Sequence, residues 1–315
     1  MEVKRRAVKE LVTKLGSVSE QIRVEALSEL RLISKNDPDS RPIIADADSA
    51  AISYIAEALY SPAQVIQENA AATLHNLSIS SKDQLMSTRG VLDALSHALL
   101  NPSCPFAAQC AAGTLYSLLM VESYRSIIGH KRDILFGLVE MIRRPDSASR
   151  SIKDGLKALF GIALYPLNRA GLIGLGVVPA LFSLVCKDGR VGVVEDATAV
   201  IAQIAGCEES WEAFRNVSGV RVLIDLLDSS TGSSIRTKEN AVSAMLKLVQ
   251  CGGEEIAKTI REMGFDVFDG IVDVVENGTD KGKVKGITLL KVLDAKSVGS
   301  LLDKEFESLM SNSAS

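Results

Sequence analysis

The residues that could do chemistry in this chain are few, and the most suggestive are basic. Arg143, Arg144, Arg150, Lys153 and Lys157 concentrate positive charge in one short stretch. Lys153 and Lys157 stand one helical turn apart, so their ammonium groups share a helix face and could meet an acidic segment together; a solvated basic face is the alternative. Arg144-Pro145-Asp146-Ser147 has the form of a basophilic kinase site. Phosphate on Ser147 would cancel the neighbouring positive charge, although a match of four residues also arises by accident.

The other reactive side chains assemble into no catalytic or ligating pattern. His75, His97 and His130 stand in neither a GxSxG nor an HExxH context, and His75 reads as a capping or packing residue. The five cysteines, Cys104, Cys110, Cys186, Cys207 and Cys251, are odd in number and include no CxxC. Cys104 and Cys110, with Pro105 between them, fit no zinc spacing, so the set reads as reduced intracellular thiols serving as core filler. Gly174-Leu175-Gly176-Val177-Val178-Pro179 begins like a dinucleotide loop, but proline stands where the third glycine belongs and the segment follows helical sequence. No catalytic residue, cofactor or metal is therefore expected.

The elements that must position these side chains announce themselves through a recurring triad: a small residue, an apolar one four positions on, and another three beyond that. The triads are Ala26/Leu30/Ile33, Ala70/Leu74/Leu77, Ala111/Leu115/Leu118, Gly155/Leu159/Ile162, Ala197/Ile201/Ile204, Ala241/Met245/Leu248 and Gly286/Leu290/Leu293, at intervals of 41 to 45 residues. Positions i, i+4 and i+7 share one helix face, so each triad is a buried stripe whose small residue admits a neighbouring helix closely. Two further ladders agree in phase. Glycine precedes an apolar helix start at Gly90, Gly176, Gly219 and Gly264, with a rung missing near Lys131-Arg132, and Pro62, Pro102 and Pro145 mark the turn into the triad helix.

A period near 40 to 47 residues with two or three helices per unit is the signature of armadillo and HEAT arrays. The sequence predicts an all-α fold, a right-handed α-solenoid of about seven armadillo repeats forming one domain over 1–315. The repeats fall at about 7–49, 50–90, 91–132, 133–176, 177–219, 220–264 and 265–295, with a C-terminal capping helix at 296–310 and a frayed tail at 311–315. Lys4, Arg5, Arg6, Lys9 and Glu10 put charge on the first helix, and Val298, Leu301, Leu302, Phe306 and Leu309 give the last one an amphipathic stripe that caps the stack, with docking of a partner as the alternative.

Bulk properties agree. A hydrophobic content of 47% with 4% aromatics suits a Leu/Ile/Val/Ala helical core and is a poor fit to strands. A net charge of −4 offers no global attraction to nucleic acid or acidic membranes. The N-terminus starts charged and develops no signal-peptide core. The uncharged run from Ala170 to Cys186 is interrupted by Gly171, Gly174, Gly176 and Pro179, so it reads as a junction between repeats rather than a membrane span.

Gln67-Glu68-Asn69-Ala70-Ala71-Ala72-Thr73-Leu74-His75-Asn76-Leu77-Ser78-Ile79 resembles the third helix of armadillo repeats in the plant U-box ubiquitin ligases, and Glu239-Asn240-Ala241-Val242 and Gly176-Val177-Val178-Pro179-Ala180-Leu181 echo it. The resemblance spans about residues 7–295. It implies that the array binds substrate while a separate U-box transfers ubiquitin. No U-box pattern of Cys-Pro-Ile followed by Asp-Pro-Val occurs here, so ligase activity would need a module from another chain or a longer isoform.

The likeness to the import adaptor importin-α is at fold level. That family sets Trp two residues, and Asn six residues, beyond the small residue. The corresponding positions here are Ser28, Ala72, Gly113, Lys157, Ala199, Ser243 and Thr288, then Leu32, Asn76, Ser117, Gly161, Gln203, Lys247 and Val292, so only Asn76 survives. Trp211 lies between repeats and reads as packing.

Those two positions lie about 200° and 240° around the helix from the small residue, facing away from the buried stripe. They nominate Asn76, Ser117, Lys157, Gln203, Ser243 and Lys247 as a partner-binding groove, joined by Lys153 from the basic stretch, with small companions at Ala72, Gly113, Gly161 and Ala199; a merely solvated inner face is the alternative. The expected function is a non-catalytic, cytoplasmic or nuclear scaffold that binds a protein partner, with an acidic segment as the candidate ligand. A substrate-recognition component of a ubiquitin ligase comes second and an import-type adaptor third. Oligomeric state is left open.

Overall fold

The computed structural model describes residues 2–48, 50–144, 147–262 and 266–293. The expected capping helix 296–310, the tail 311–315, Gly264, Pro145 and Asp146 lie outside them. The chain divides into two compact units, Met1–Asn168 and Arg169–Ser315. Among the described residues every regular element is helical.

The first unit runs α1 (Glu2–Leu15), α2 (Glu20–Asn36), α3 (Ser40–Ala45), α4 (Ala51–Glu57), α5 (Gln64–Ser78), α6 (Lys82–Ser87), α7 (Val91–Leu100), α8 (Pro105–Leu119), α9 (Tyr124–Gly129), α10 (Arg132–Arg143) and α11 (Ser149–Ala163). The second runs α12 (Arg169–Gly174), α13 (Val177–Lys187), α14 (Val191–Ile204), α15 (Ser210–Arg215), α16 (Gly219–Asp225), α17 (Ile235–Glu262), α18 (Asp266–Asn277) and α19 (Asp280–Leu293). The order medium, long, short repeats through most of both. In the first unit the long helices stack successively, α2 on α5, α5 on α8 and α8 on α11, while α4, α7 and α10 form a parallel row beside them. In the second, α14, α17 and α19 stack in the same way.

The triads lie in these long helices, and every triad residue is buried except Ile33, which is half-buried. The small member is needed for close approach. A β-carbon on Gly155 would stand 3.2 Å from Ile142 Cγ2 and Met141 Sδ, and one on Gly286 would stand 2.7 Å from Val275 Cγ2. Pro62 and Pro102 fall in the turns ahead of α5 and α8, where proline disfavours helix in the residue before it.

The glycine ladder holds at Gly90 (φ 88°) and Gly176 (φ 77°), which take the left-handed conformation that glycine adopts without steric cost as the chain enters α7 and α13. The third rung differs. Ser218 (φ 52°) makes the left-handed turn, and Gly219 opens α16 against the Phe182 ring. Near Lys131 the entry is extended instead, as the missing rung suggested. In α17 the turn between the long helix and the short one shrinks to a break at Gly253 (φ 63°, ψ −146°).

Candidate partner-binding face

The long helices are joined by polar side chains at two recurring positions. One lies immediately before the triad's small residue. Asn69 Nδ2 donates to Ser28 Oγ at 2.8 Å, linking α5 to α2, and its Oδ1 accepts from Arg31 Nη1 at 2.8 Å. Arg31 also pairs with Glu68 at 3.0 Å and lies over the Phe106 ring at 5.3 Å. Asn240 repeats the link in the second unit, donating to Thr198 Oγ1 at 3.1 Å and to the Glu195 carbonyl at 3.2 Å. At the same position Asp154 accepts from Gln109 at 3.1 Å, and Lys285 donates to Ser243 Oγ at 2.9 Å.

The second position lies six beyond the small residue. It falls level with the end of the preceding long helix, where the last carbonyls lack an intrahelical donor. Ser117 Oγ donates to the Ser78 carbonyl at 2.7 Å, and Lys247 Nζ donates to the Ala202 carbonyl at 2.7 Å and to Gln203 Oε1 at 3.3 Å. Asn76 Nδ2 reaches Ser34 Oγ at 3.0 Å. The nominated groove residues are thus partly committed to holding neighbouring repeats in register. Sequence reasoning passed over the asparagine before the small residue as a structural tie, although the Glu-Asn-Ala triplet at 68–70 and 239–241 was its signal.

In the first unit Asn76, Ser117, Lys153 and Lys157 are all half-buried on the row of long helices. Lys157 Nζ lies 5.9 Å from the Tyr116 ring centroid. Among the described residues no carboxylate stands within ion-pair distance of Arg150, Lys153 or Lys157. Ala72, Gly113 and Gly161 are buried, Gly113 beneath His75 and Gly161 against Leu119. Burial pushes the His75 imidazole below its usual range, and its Nδ1 has no hydrogen-bond partner.

In the second unit Gln203 and Lys247 are in contact, while Ser243 is buried and held by Lys285. Burial, reinforced by Arg169 and Lys285, pushes Lys247 down to about 8. Lys285 is lowered too, chiefly by burial, with Glu239 acting against it and Lys281 adding to it.

Ser147 is half-buried, and its hydroxyl donates to the Met141 carbonyl at 2.9 Å, closing the end of α10 beside exposed Arg144. All five cysteines are free thiols, and burial pushes Cys110 up to about 12. Trp211 is half-buried in α15. Among the described residues no cluster of His, Cys, Asp and Glu is arranged to hold a metal, and no single helix is long and apolar enough to cross a membrane.

This geometry offers hydrogen-bond donors and positive charge on a row of stacked helices, which suits recognition rather than bond-making. The chain is 25% identical over 287 residues to U-box domain-containing protein 18 of Arabidopsis thaliana, covering 90% of this chain and 40% of that one. It is 28% identical over 321 residues to U-box domain-containing protein 4 of Oryza sativa subsp. japonica, covering 99% and 43%. The chain therefore spans about two-fifths of the length of these curated relatives. Among solved structures, computationally designed armadillo repeat proteins for modular peptide recognition superpose with a TM-score of 0.52 at 19% identity, covering 91% of this chain and all of theirs. The family model for the plant U-box protein ARM repeat region matches residues 7–307, in keeping with the stacked triad helices and their asparagine ties, and the chain belongs to that family.

Proposed function

We propose that this chain is a non-catalytic scaffold whose long-helix face binds a segment of a partner protein. The armadillo fold is a protein-interaction fold. Lys153 and Lys157 carry the reading here: two half-buried ammonium groups on one helix face, with no carboxylate in ion-pair reach among the described residues. Such a pair gains from an incoming acidic group without first breaking an internal salt bridge. The designed armadillo proteins, intended for modular peptide recognition, support a segment as ligand. Proximity labelling in plant cells, comparing wild type with Lys153→Glu/Lys157→Glu/Lys247→Glu, tests it; the labelled partners should change, and an identical list overturns the reading.

The names of the relatives favour one setting for this scaffold, the substrate-recognition part of a ubiquitin ligase. These 315 residues carry no U-box pattern. The purified chain should show no autoubiquitination with ubiquitin, E1 and E2, and should be ubiquitinated or bring a substrate to ubiquitination only beside a U-box. Activity from this chain alone would refute that division of labour.

A further inference from the structure

The second unit holds two half-buried lysines on its long helices whose hydrogen-bond partners carry no charge. Lys247 Nζ rests on the Ala202 carbonyl and the Gln203 amide oxygen, and Lys285 Nζ rests on the Ser243 hydroxyl. All three partners are neutral. An ammonium carries three donors, so one on Lys247 and two on Lys285 are left for another acceptor. Among the described residues no carboxylate lies within ion-pair distance of either lysine. Glu239 acts on Lys285 from farther off, and its Oε1 accepts from the Thr279 backbone N–H.

The local backbone brings a further cation alongside. A β-carbon built on Gly206 would stand 3.3 Å from Arg169 Nη1 and 3.4 Å from Lys247 Cδ, so glycine at 206 gives both side chains room at the end of α14. Half-buried like charges repel one another more strongly than exposed ones, because less solvent screens them. An anion entering the cluster would relieve that repulsion and would fill the open donors with charge-assisted hydrogen bonds.

We propose that Lys247 and Lys285 form a carboxylate-binding subsite on the long-helix face of the second unit, occupied by an acidic segment of the partner protein. The proposal rests on the scaffold reading above and gives it a ligand chemistry. Charge complementarity selects the occupant: a small, local group of cations in a chain of net charge −4 suits a short acidic peptide segment better than a long polyanion such as a nucleic acid, most of which would lie outside the cluster.

The test uses the whole 315-residue chain and fluorescein-labelled hexaglutamate, with hexaglutamine as the neutral control, read by fluorescence anisotropy. Hexaglutamate should bind saturably and hexaglutamine should not. Lys285→Gln keeps an amide donor for Ser243 and removes the charge, and should weaken hexaglutamate about tenfold, as expected for the loss of one charge-assisted contact. Lys247→Met/Lys285→Gln should abolish saturation over the wild-type range, with thermal melting of Lys285→Gln confirming an intact fold. Equal binding of the two peptides, or hexaglutamate affinity unchanged in both variants, overturns the subsite. Inorganic phosphate displacing hexaglutamate at concentrations where acetate does not would also overturn its assignment to carboxylates. The two readings fail separately. If the labelled partners change in the triple reversal while hexaglutamate ignores Lys247 and Lys285, the subsite falls and the scaffold stands. If hexaglutamate depends on both lysines while the partner list is unchanged, the scaffold reading of this face falls.

Discussion

The His75 ring fills the space in which a β-carbon on Gly113 would stand, with Cε1 2.7 Å from that position and Nδ1 3.0 Å from it. The two residues lie on successive stacked helices, α5 and α8, so the glycine sets how closely one repeat seats on the next. Gly113→Ala should gain about 1 kcal/mol of helix propensity and lose more than that by overpacking, which typically costs about 1 to 3 kcal/mol. A double-mutant cycle with His75→Ala in urea unfolding checks the contact. The second substitution should recover part of the loss, with a coupling of about 1 kcal/mol. Additive effects would show that the ring and the glycine do not constrain each other.

The triad helices were legible because apolar burial repeats with the helix period, and burial is a property that one residue declares by its type. Ile33 is the exception, half-buried although its type and position match the rest of the ladder. The glycine turns at 90 and 176 were legible for a similar reason, since left-handed backbone favours glycine. At 218 the same conformation falls to serine, and the neighbouring glycine serves Phe182 packing, a contact with no local signature. Position six points away from its own helix's core, so the sequence presents it as an outward, groove-lining or solvated face. What that reading could not contain is the height of the preceding helix. Stacking brings Ser117 level with the last carbonyl of α5, and Lys247 level with the end of α14, and that register belongs to pairs of repeats.

The asparagine ties give a sharp test of that register. Asn69→Ala removes the bond to Ser28 and leaves Arg31 with one fewer acceptor, and Asn240→Ala removes the bonds to Thr198 and Glu195. Each should lower stability by about 1 to 2 kcal/mol, as for the loss of a part-buried hydrogen bond. Asn240→Asp should do no better, since Thr198 already donates its proton to the Val194 and Glu195 carbonyls and a carboxylate can donate to neither Thr198 nor the Glu195 carbonyl. Urea midpoints matching wild type would show that these asparagines play no structural part.

Lys247 makes stability depend on pH in a definite direction. Its usual value of 10.5 falls to about 8, first through burial and then through Arg169 and Lys285. Between those values the unfolded chain keeps a proton that the folded chain has released, so stability rises with pH across that window and the full penalty applies below it. Relative to Lys247→Met, wild type should gain about 1 kcal/mol from pH 7 to pH 10.5, an amount reduced by solvent screening of a half-buried group. Parallel pH profiles for the two proteins would refute the depressed value.

An ion pair between a buried lysine and a part-exposed aspartate in the second unit makes the last prediction. Lys238 on α17 donates to Asp273 on α18; the lysine side chain is 7% exposed and the aspartate 29%. Lys238, with help from Asn277, holds the Asp273 carboxyl below its ordinary range. Asp273→Ala leaves the buried lysine without its hydrogen-bonded partner, with Asp228 acting on it only from farther off, and should cost about 1 to 3 kcal/mol. Lys238→Met in the same chain removes that charge and should restore most of the loss. The carboxylate's contribution also has a pH signature: it is present above the ordinary carboxylate range and is lost as pH falls through the depressed folded value, so wild type should lose stability in acid more steeply than the double variant. If Asp273→Ala and the double variant unfold at the same urea concentration, the pair contributes no charge compensation between α17 and α18.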